Sequence, residues 1–361
     1  MTFRIAVVGT GGIAEIGHIP ALRAVADEVE VVAAVDTDPE RLEDFRQRYG
    51  IPAGYGSVDA MLAAEKPDLV LVCTPPMTHA DIAVRCLTAG SWVLIEKPPC
   101  LSLAEYARIE AAEKPGGPYA SVVFQHRFGS GARNAIDLIS SGSLGRPLVA
   151  ICHTTWFRDQ AYFDVPWRGR WDTEGGGPTM GHGIHQMDLL LALLGQWAEV
   201  RAVTGRLDRV TETEDVSMAL VKFANGAIAS IVNSVLSPRE ESYLRVDLTD
   251  ATVELTHLYG YRNTDWRYTP APHVRDADQI ASWAPVEDVN SSHTAQLPYI
   301  LDAMRRGVRP PLSGQEGRDT LELIAAVYRS AYTGVPVRRG EIGPDDPYYR
   351  SMHGEALPWN P

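Results

Sequence analysis

No stretch of this chain approaches the roughly 18 consecutive apolar residues that a membrane-spanning helix needs. A charged N-terminal region followed by a long apolar one is also missing, so no signal peptide is expected. Basic runs are absent: 33 Lys and Arg stand against 46 Asp and Glu, a formal net charge of −13. Nucleic acid and anionic membranes are therefore not expected as partners. Cysteine is scarce, with Cys73, Cys86, Cys100 and Cys152 and no C-x-x-C pair. These read as reduced, mostly buried thiols of a cytoplasmic protein. Internal repeats and low-complexity segments are lacking as well. What remains is an ordinary globular composition, 45% hydrophobic and 22% charged, on a chain of 361 residues, enough for two domains with substantial cores.

The chain is organised around its beginning. Ile5–Val8 is the short apolar, β-branched run of a buried parallel strand. It leads into Gly9-Thr10-Gly11-Gly12-Ile13-Ala14, a G-x-G-x-x-A pattern. Gly9 permits a tight turn, Gly11 and Gly12 let the backbone approach a pyrophosphate, and Ile13-Ala14 open a helix whose small Ala14 packs close on the strand. Free N–H groups at that helix start suit phosphate. A second apolar run, Val31–Val35, ends at Asp36, the acid expected to accept hydrogen bonds from an adenosine ribose. Asp36 equally opens a turn before the helix that starts at Pro39, and both roles hold together. Its charge repels a 2′-phosphate, so NAD is expected over NADP, with Arg41 within reach of the adenine.

Further along, strand and helix signals alternate. Helices are expected at Ile13–Ala26, Pro39–Tyr49, Ser57–Ala64, Ala80–Ala89 and Leu103–Glu113. Strands are expected at Leu69–Cys73, Trp92–Ile95 and Tyr119–Phe124. Regular β-α repeats predict a doubly wound parallel sheet covered on both faces, an α/β domain over 1–124. After a connecting helix, Ser130–Ser141, the pattern changes. Leu148–Thr155, Val200–Arg206, Val216–Ala224 and Ala227–Val235 read as strands, the last two joined at Asn225-Gly226, a strong hairpin signal. Tyr243–Thr249 and Thr252–Thr256 follow. An α+β domain with an antiparallel sheet is expected over 125–361. A capping-box pattern at Ser313–Glu316 opens a core-packing helix at about 314–332, and the tail from Gly340 reads as irregular surface chain.

Ligands of open α/β sheets bind beyond the carboxyl ends of the strands. Thr74-Pro75, His79 and Glu96-Lys97-Pro98 lie there. Lys97, fixed before a proline at a strand end, suits proton transfer or substrate orientation, although a lone lysine is usually a solvated surface charge. A second stretch runs Glu174-Gly175-Gly176-Gly177-Pro178-Thr179-Met180-Gly181-His182-Gly183-Ile184-His185-Gln186-Met187-Asp188, then a helix through Leu194 that stops at Gly195. Spacing of i, i+3 and i+4 puts His182, His185 and Gln186 on one helical face if the helix begins early. An imidazole there serves as a general base for a substrate hydroxyl. The competing roles are a satisfied core histidine and a metal pair, which lacks a clear third ligand. Trp156, Arg158, Tyr162, Trp167, Arg168 and Trp171 form an aromatic and basic segment. It suits the faces and hydroxyls of a carbohydrate or polyol, or equally pins a long loop onto the sheet. Gln125, Arg127, Trp156, Trp167 and Arg168 are pocket candidates.

Gly9–Ala14, Thr74-Pro75-Pro76 with His79, Glu96-Lys97-Pro98, and Gly175–Gly177 with His185–Asp188 together resemble the Gfo/Idh/MocA family over nearly the whole chain. The resemblance implies an N-terminal Rossmann domain and a C-terminal domain with a large open, mainly antiparallel sheet, often the contact of a homodimer or homotetramer. It implies hydride transfer between NAD(P) and a secondary alcohol or ketone of a sugar, inositol or related polyol. By it, Lys97 binds substrate and helps proton transfer, and His185 is the acid/base residue; Thr74, Pro75, His79 and Glu96 join the cofactor set. One position departs: the family's Asp four residues before the His is Gly181 here, with His182 beside it. Two alternatives follow from relatives: a glycosidase or lyase that recycles its own NAD, and a non-catalytic NAD-binding sensor.

Overall fold

The computed structural model describes residues 2–355, and the last residues of the tail lie outside them. The chain divides into two compact units, 1–123 with 293–318, and 124–292 with 319–361. Segment 293–318, expected in the second domain, thus belongs to the first unit.

The first unit is built on a parallel sheet. Its strands are β1 (Phe3–Val8), β2 (Val29–Val35), β3 (Ala53–Tyr55), β4 (Leu69–Val72), β5 (Trp92–Ile95) and β6 (Ala120–Val122), in the order β3-β2-β1-β4-β5-β6. The edge strand β3 is too short and too mixed (Ala53-Gly54-Tyr55) to show as a hydrophobic run. Ile5, Val7, Leu69, Leu71 and Leu94 pack with Ile19, Leu22, Leu42 and Phe45 from helices, and with Leu297, Ile300 and Leu301 of helix His293–Arg306. Burial on both faces explains the unbroken apolar runs of these strands. The order reverses between β1 and β4, so the carboxyl ends of those strands, Gly9 and Cys73-Thr74, flank the crevice where such sheets bind ligands. The helix after the glycine turn differs from expectation. It begins as a π-helical turn, Ala14–His18, and its α-helical part is Ile19–Ala24. Such turns recur at functional sites; this one projects His18 inward.

The second unit holds an eight-stranded sheet among the described residues: β7 (Pro147–Phe157), β8 (Trp197–Gly205), β9 (Val216–Phe223), β10 (Ile228–Ser234), β11 (Leu236–Leu248), β12 (Ala251–Thr256), β13 (Trp266–Pro270) and β14 (Val337–Arg338). The order is β13-β12-β11-β7-β10-β9-β8-β14. The Asn225-Gly226 hairpin joins β9 and β10 as expected, but β7 and β10 pair in parallel, so the sheet is mixed. Strand β9 alternates buried and exposed residues, and one sheet face presents Val149, Val203, Met218, Leu220 and Ile228. Helices Ser130–Ser140 and Ile184–Leu194 belong to this unit. Leu321, Ile324, Ala325 and Tyr328 of helix Gln315–Thr333 are buried. The capping pattern before that helix works differently from expectation: Glu316 accepts the Leu312 N–H at 2.8 Å, while Ser313 accepts from Arg309. The described tail is not simply surface chain, since Ile342, Tyr348 and Met352 are buried.

Candidate functional site

In the first unit, the glycine turn has the shape that a dinucleotide needs. Gly9 has φ +91°, and a Cβ there would lie 2.8 Å from the Cys73 carbonyl carbon, so both backbone and room demand glycine. A Cβ on Gly11 or Gly12 would meet nothing within 4 Å, so the space above the turn is open. Ile13 is half-buried and Ala14 fully buried, and the Ala14 N–H closes the turn onto the Gly11 carbonyl at 3.0 Å. Asp36 stands at the end of β2. Its Oδ2 accepts the Thr10 N–H at 2.9 Å and the Thr10 hydroxyl at 2.8 Å. Its Oδ1 accepts the Asp38 N–H at 2.9 Å and Arg41 Nη2 at 2.9 Å. Burial works against the Asp36 charge, but the bonds from Arg41, Asp38 and Thr10 overcome it and hold the carboxyl far below its usual range. Arg41 is therefore tied to Asp36, the ion pair that the sequence left as a reach toward adenine.

At the ends of β4 and β5, two polar side chains act as clamps. His79, expected as a cofactor ligand, is 1% exposed, with Nδ1 2.8 Å from the Pro98 carbonyl and Nε2 2.7 Å from the Thr74 carbonyl. Carbonyl oxygens only accept and burial favours the neutral ring, so its single N–H bonds one of the two, and His79 sits packed between the Thr74-Pro75 loop and the Lys97-Pro98 loop. Thr74 and Pro75 stay half-buried, and Thr74 accepts the Thr78 hydroxyl at 2.7 Å. Glu96, also expected to touch cofactor, is 5% exposed. Its Oε1 is 2.9 Å from His18 Nε2 and 2.8 Å from His293 Nε2, and its Oε2 accepts the Lys97 N–H at 3.2 Å. Burial alone would raise its pKa, but the two imidazole bonds hold it well below normal; burial pushes His18 down, toward the neutral ring. An ionised carboxylate only accepts, so both imidazoles donate through Nε2–H. A tetrahedral ion held by such ligands would spread their atoms to about 3.3 Å. The observed separations are hydrogen-bond lengths, and the group is a clamp that fixes the main chain of half-buried Lys97.

The second unit gathers imidazoles and phenols. His185 and Gln186 lie in helix Ile184–Leu194, both buried. His182 does not share their helix: it ends the short helix Pro178–Gly181 with φ −122°, and Gly183 intervenes. The His185 ring lies 4.7 Å from that of His126 and 5.6 Å from that of Tyr259. His126 also meets Tyr261, at 4.4 Å. Gln125 donates to the Tyr259 hydroxyl and Gln186 to the Tyr261 hydroxyl. Tyr259 also faces Trp156, which lies edge-on to His182 at 5.1 Å and donates from Nε1 to Ser242. Arg127, expected at the pocket, is engaged by Asp188. Its guanidinium makes two bonds to the Asp188 carboxylate, at 2.7 and 2.6 Å, and anchors the His185 helix. Trp171 is a core residue whose Nε1 donates to the Glu212 carbonyl. Arg168 lies over the rings of Tyr162 and Trp167, at 3.9 and 4.4 Å. Buried Glu214 accepts the N–H groups of Gly177 and Thr179 and the Tyr328 hydroxyl, fixing the triple-glycine turn; burial raises its pKa.

Sequence reasoning missed His18, His293, His126, Tyr259, Tyr261 and Glu214. His293 meets a partner 197 residues away, and no spacing rule reaches that far. Tyr259-Gly260-Tyr261 carries a weak signal, two rings flanking a glycine.

Residues 3–124 match the oxidoreductase family with an NAD-binding Rossmann fold, and residues 132–254 match the GFO/IDH/MocA C-terminal domain. The chain is 25% identical to D-glucoside 3-dehydrogenase of Escherichia coli K12, over 92% of this chain and 97% of that protein. It is 24% identical to myo-inositol 2-dehydrogenase of Thermotoga maritima, over 94% and 99%. The WlbA dehydrogenase of Bordetella pertussis, solved with NADH and UDP-GlcNAcA, superposes with a TM-score of 0.83 at 28% identity, over 94% of this chain and 99% of that one. The chain belongs to the Gfo/Idh/MocA family and is an NAD(P)-dependent oxidoreductase acting on CH–OH groups.

Proposed function

We propose that this protein transfers hydride between NAD and a secondary alcohol or ketone of a sugar, inositol or related polyol. When bound, NAD supplies the hydride acceptor. Gly9, Gly11, Gly12, Ile13 and Ala14 cradle its phosphates, and Asp36 with Arg41 meets its adenosine end. The Asp36 charge supports NAD over NADP. Thr74, Pro75 and Lys97 line the strand ends, with Lys97 orienting the substrate hydroxyl. His185 takes the hydroxyl proton, and His182 assists. The observation that carries this reading is a buried imidazole, His185, among His126, Tyr259 and Tyr261, which combines a proton acceptor with rings suited to the C–H faces of a carbohydrate. Four free, buried cysteines support a cytoplasmic setting. The apolar sheet face with Val203, Met218 and Leu220 supports a homodimer or homotetramer.

The test is absorbance at the NADH band with NAD, and separately NADP, against a panel of sugars, inositols and sugar acids. A signal with NAD and one polyol class is expected. Cleavage of a glycoside with no added cofactor would favour the recycling glycosidase instead. Cofactor binding with silence throughout would favour the sensor.

A further inference from the structure

Glu174 is a carboxylate that the proposed reaction leaves without a role. It is 4% exposed. Its Oε2 accepts the Gly169 N–H at 2.6 Å. Its Oε1 lies 3.7 Å from Arg168 Nη1, and 3.2 Å from the point that a Cβ on Gly181 would occupy. Gly181 ends a helical turn and has no left-handed φ. The backbone there accepts any residue, so what glycine provides is room, and the Glu174 carboxylate borders that room.

From Glu174, polar contacts run in one direction. Arg168 Nη1 donates to the Tyr162 hydroxyl. Arginine has no acceptor, so the Tyr162 oxygen must accept, and its own proton is left to donate. His182 Nε2 is 3.2 Å from that hydroxyl. When Nε2 accepts the Tyr162 proton it is unprotonated, and the ring proton of neutral His182 then lies on Nδ1. Burial lowers the Arg168 pKa and Glu174 raises it, as expected for a cation sustained by that carboxylate.

We propose that Glu174, Arg168 and Tyr162 form a positioning relay that fixes the tautomer of His182 and sets its proton affinity, with Gly181 as the space the carboxylate requires. The proposal rests on the reading of His182 as part of the proton-transfer machinery. The groups around His182 set the sign of the charge effect. Arg168 and Arg158, which lies 5.5 Å over the Tyr162 ring, oppose an imidazolium. Glu174 and Glu240, the latter paired with Arg158 at 2.9 Å, offset them. His185, three residues on, is a second imidazole whose protonation would oppose that of His182. Removing the Glu174 charge leaves Arg168 uncompensated and lowers the proton affinity of His182.

The experiment follows the imidazole signals of the full-length protein by NMR, with His182 assigned through their loss in His182→Gln. In the wild type, 15N shifts should show the His182 proton on Nδ1. Glu174→Gln, which keeps an oxygen for the Gly169 N–H, should lower the His182 pKa by about one unit, tenfold in proton affinity. Adding Gly181→Asp to that variant returns a carboxylate to the same space and should restore at least half of the shift. A proton on Nε2 in the wild type overturns the relay without any variant. An unchanged or raised pKa in folded Glu174→Gln overturns it too, as does failure of Gly181→Asp to restore it. None of these readings needs turnover: a protein that oxidises no polyol yet shows the shift and its rescue loses the dehydrogenase reading and keeps the relay.

Discussion

The two units present polar groups in opposite ways. In the first, a sheet buried on both faces leaves chemistry only at the strand ends, and the groups there come from short contiguous motifs: Gly9–Ala14, Thr74-Pro75 and Glu96-Lys97-Pro98. In the second, His185 at a helix start meets rings from distant segments, His126 and Tyr259, beside a sheet that alternates buried and exposed residues. The first unit is an edge written in the sequence, and the second is a cluster of rings assembled by tertiary packing. Both hold a buried carboxylate that organises its neighbours: Glu96 through two imidazoles, Glu174 through a guanidinium.

Breaking the anchors should separate the units most sharply. Arg127→Ala strips the guanidinium from Asp188, which is fully buried and also accepts the Thr320 hydroxyl at 3.2 Å. A loss of about 3–5 kcal/mol is expected in urea denaturation. In the first unit, Gly9→Ala forces a left-handed φ on alanine and drives its methyl into the Cys73 carbonyl. It should cost about 1–3 kcal/mol of stability and at least tenfold in NAD affinity by calorimetry. Equal NAD affinity in that variant would remove the glycine turn from the cofactor site.

A subtler change tests the cofactor end. Asp36→Ser removes the carboxylate and releases Arg41. NAD affinity should fall by about tenfold, or about 1.4 kcal/mol, while NADP affinity rises, because the freed guanidinium then meets a 2′-phosphate. Unchanged discrimination would show that the preference lies elsewhere.

The smallest effect is a slope. His18 is held neutral in the fold, with its pKa below the ordinary 6.5. Below pH 6.5 the unfolded chain takes up a proton that the folded chain resists, so the His18 contribution is complete above that pH and lost as pH falls. Glu96, also depressed, adds its loss only at still lower pH, as carboxylates protonate. Urea midpoints of the wild type should fall from pH 6.5 to 5.5, and His18→Gln should flatten that slope. An unchanged slope would take His18 out of the buried clamp.

Legibility followed the same division. Strand runs, the glycine turn, Asp36 and the Asn225-Gly226 hairpin were readable because each is a local requirement of backbone or burial. Four features were not. The π-helical turn at Ala14–His18 has no pattern of its own. His79 and Glu96 look like ligands in sequence because they sit at strand ends, yet they are clamps. Arg127 looks like a pocket cation until Asp188 appears beside it. The His182 and His185 face failed because Gly183 breaks the helix between them. Each miss is a long-range pairing or a backbone break that spacing does not encode.

The division of labour between cofactor unit and proton unit is tested most directly by His185→Asn, with NAD affinity and kcat measured on the same preparation. The account predicts NAD affinity within about twofold of wild type and kcat lower by about 10²–10⁴, the scale of a lost general base. A variant that keeps its turnover, or that loses NAD affinity in step with turnover, would contradict it.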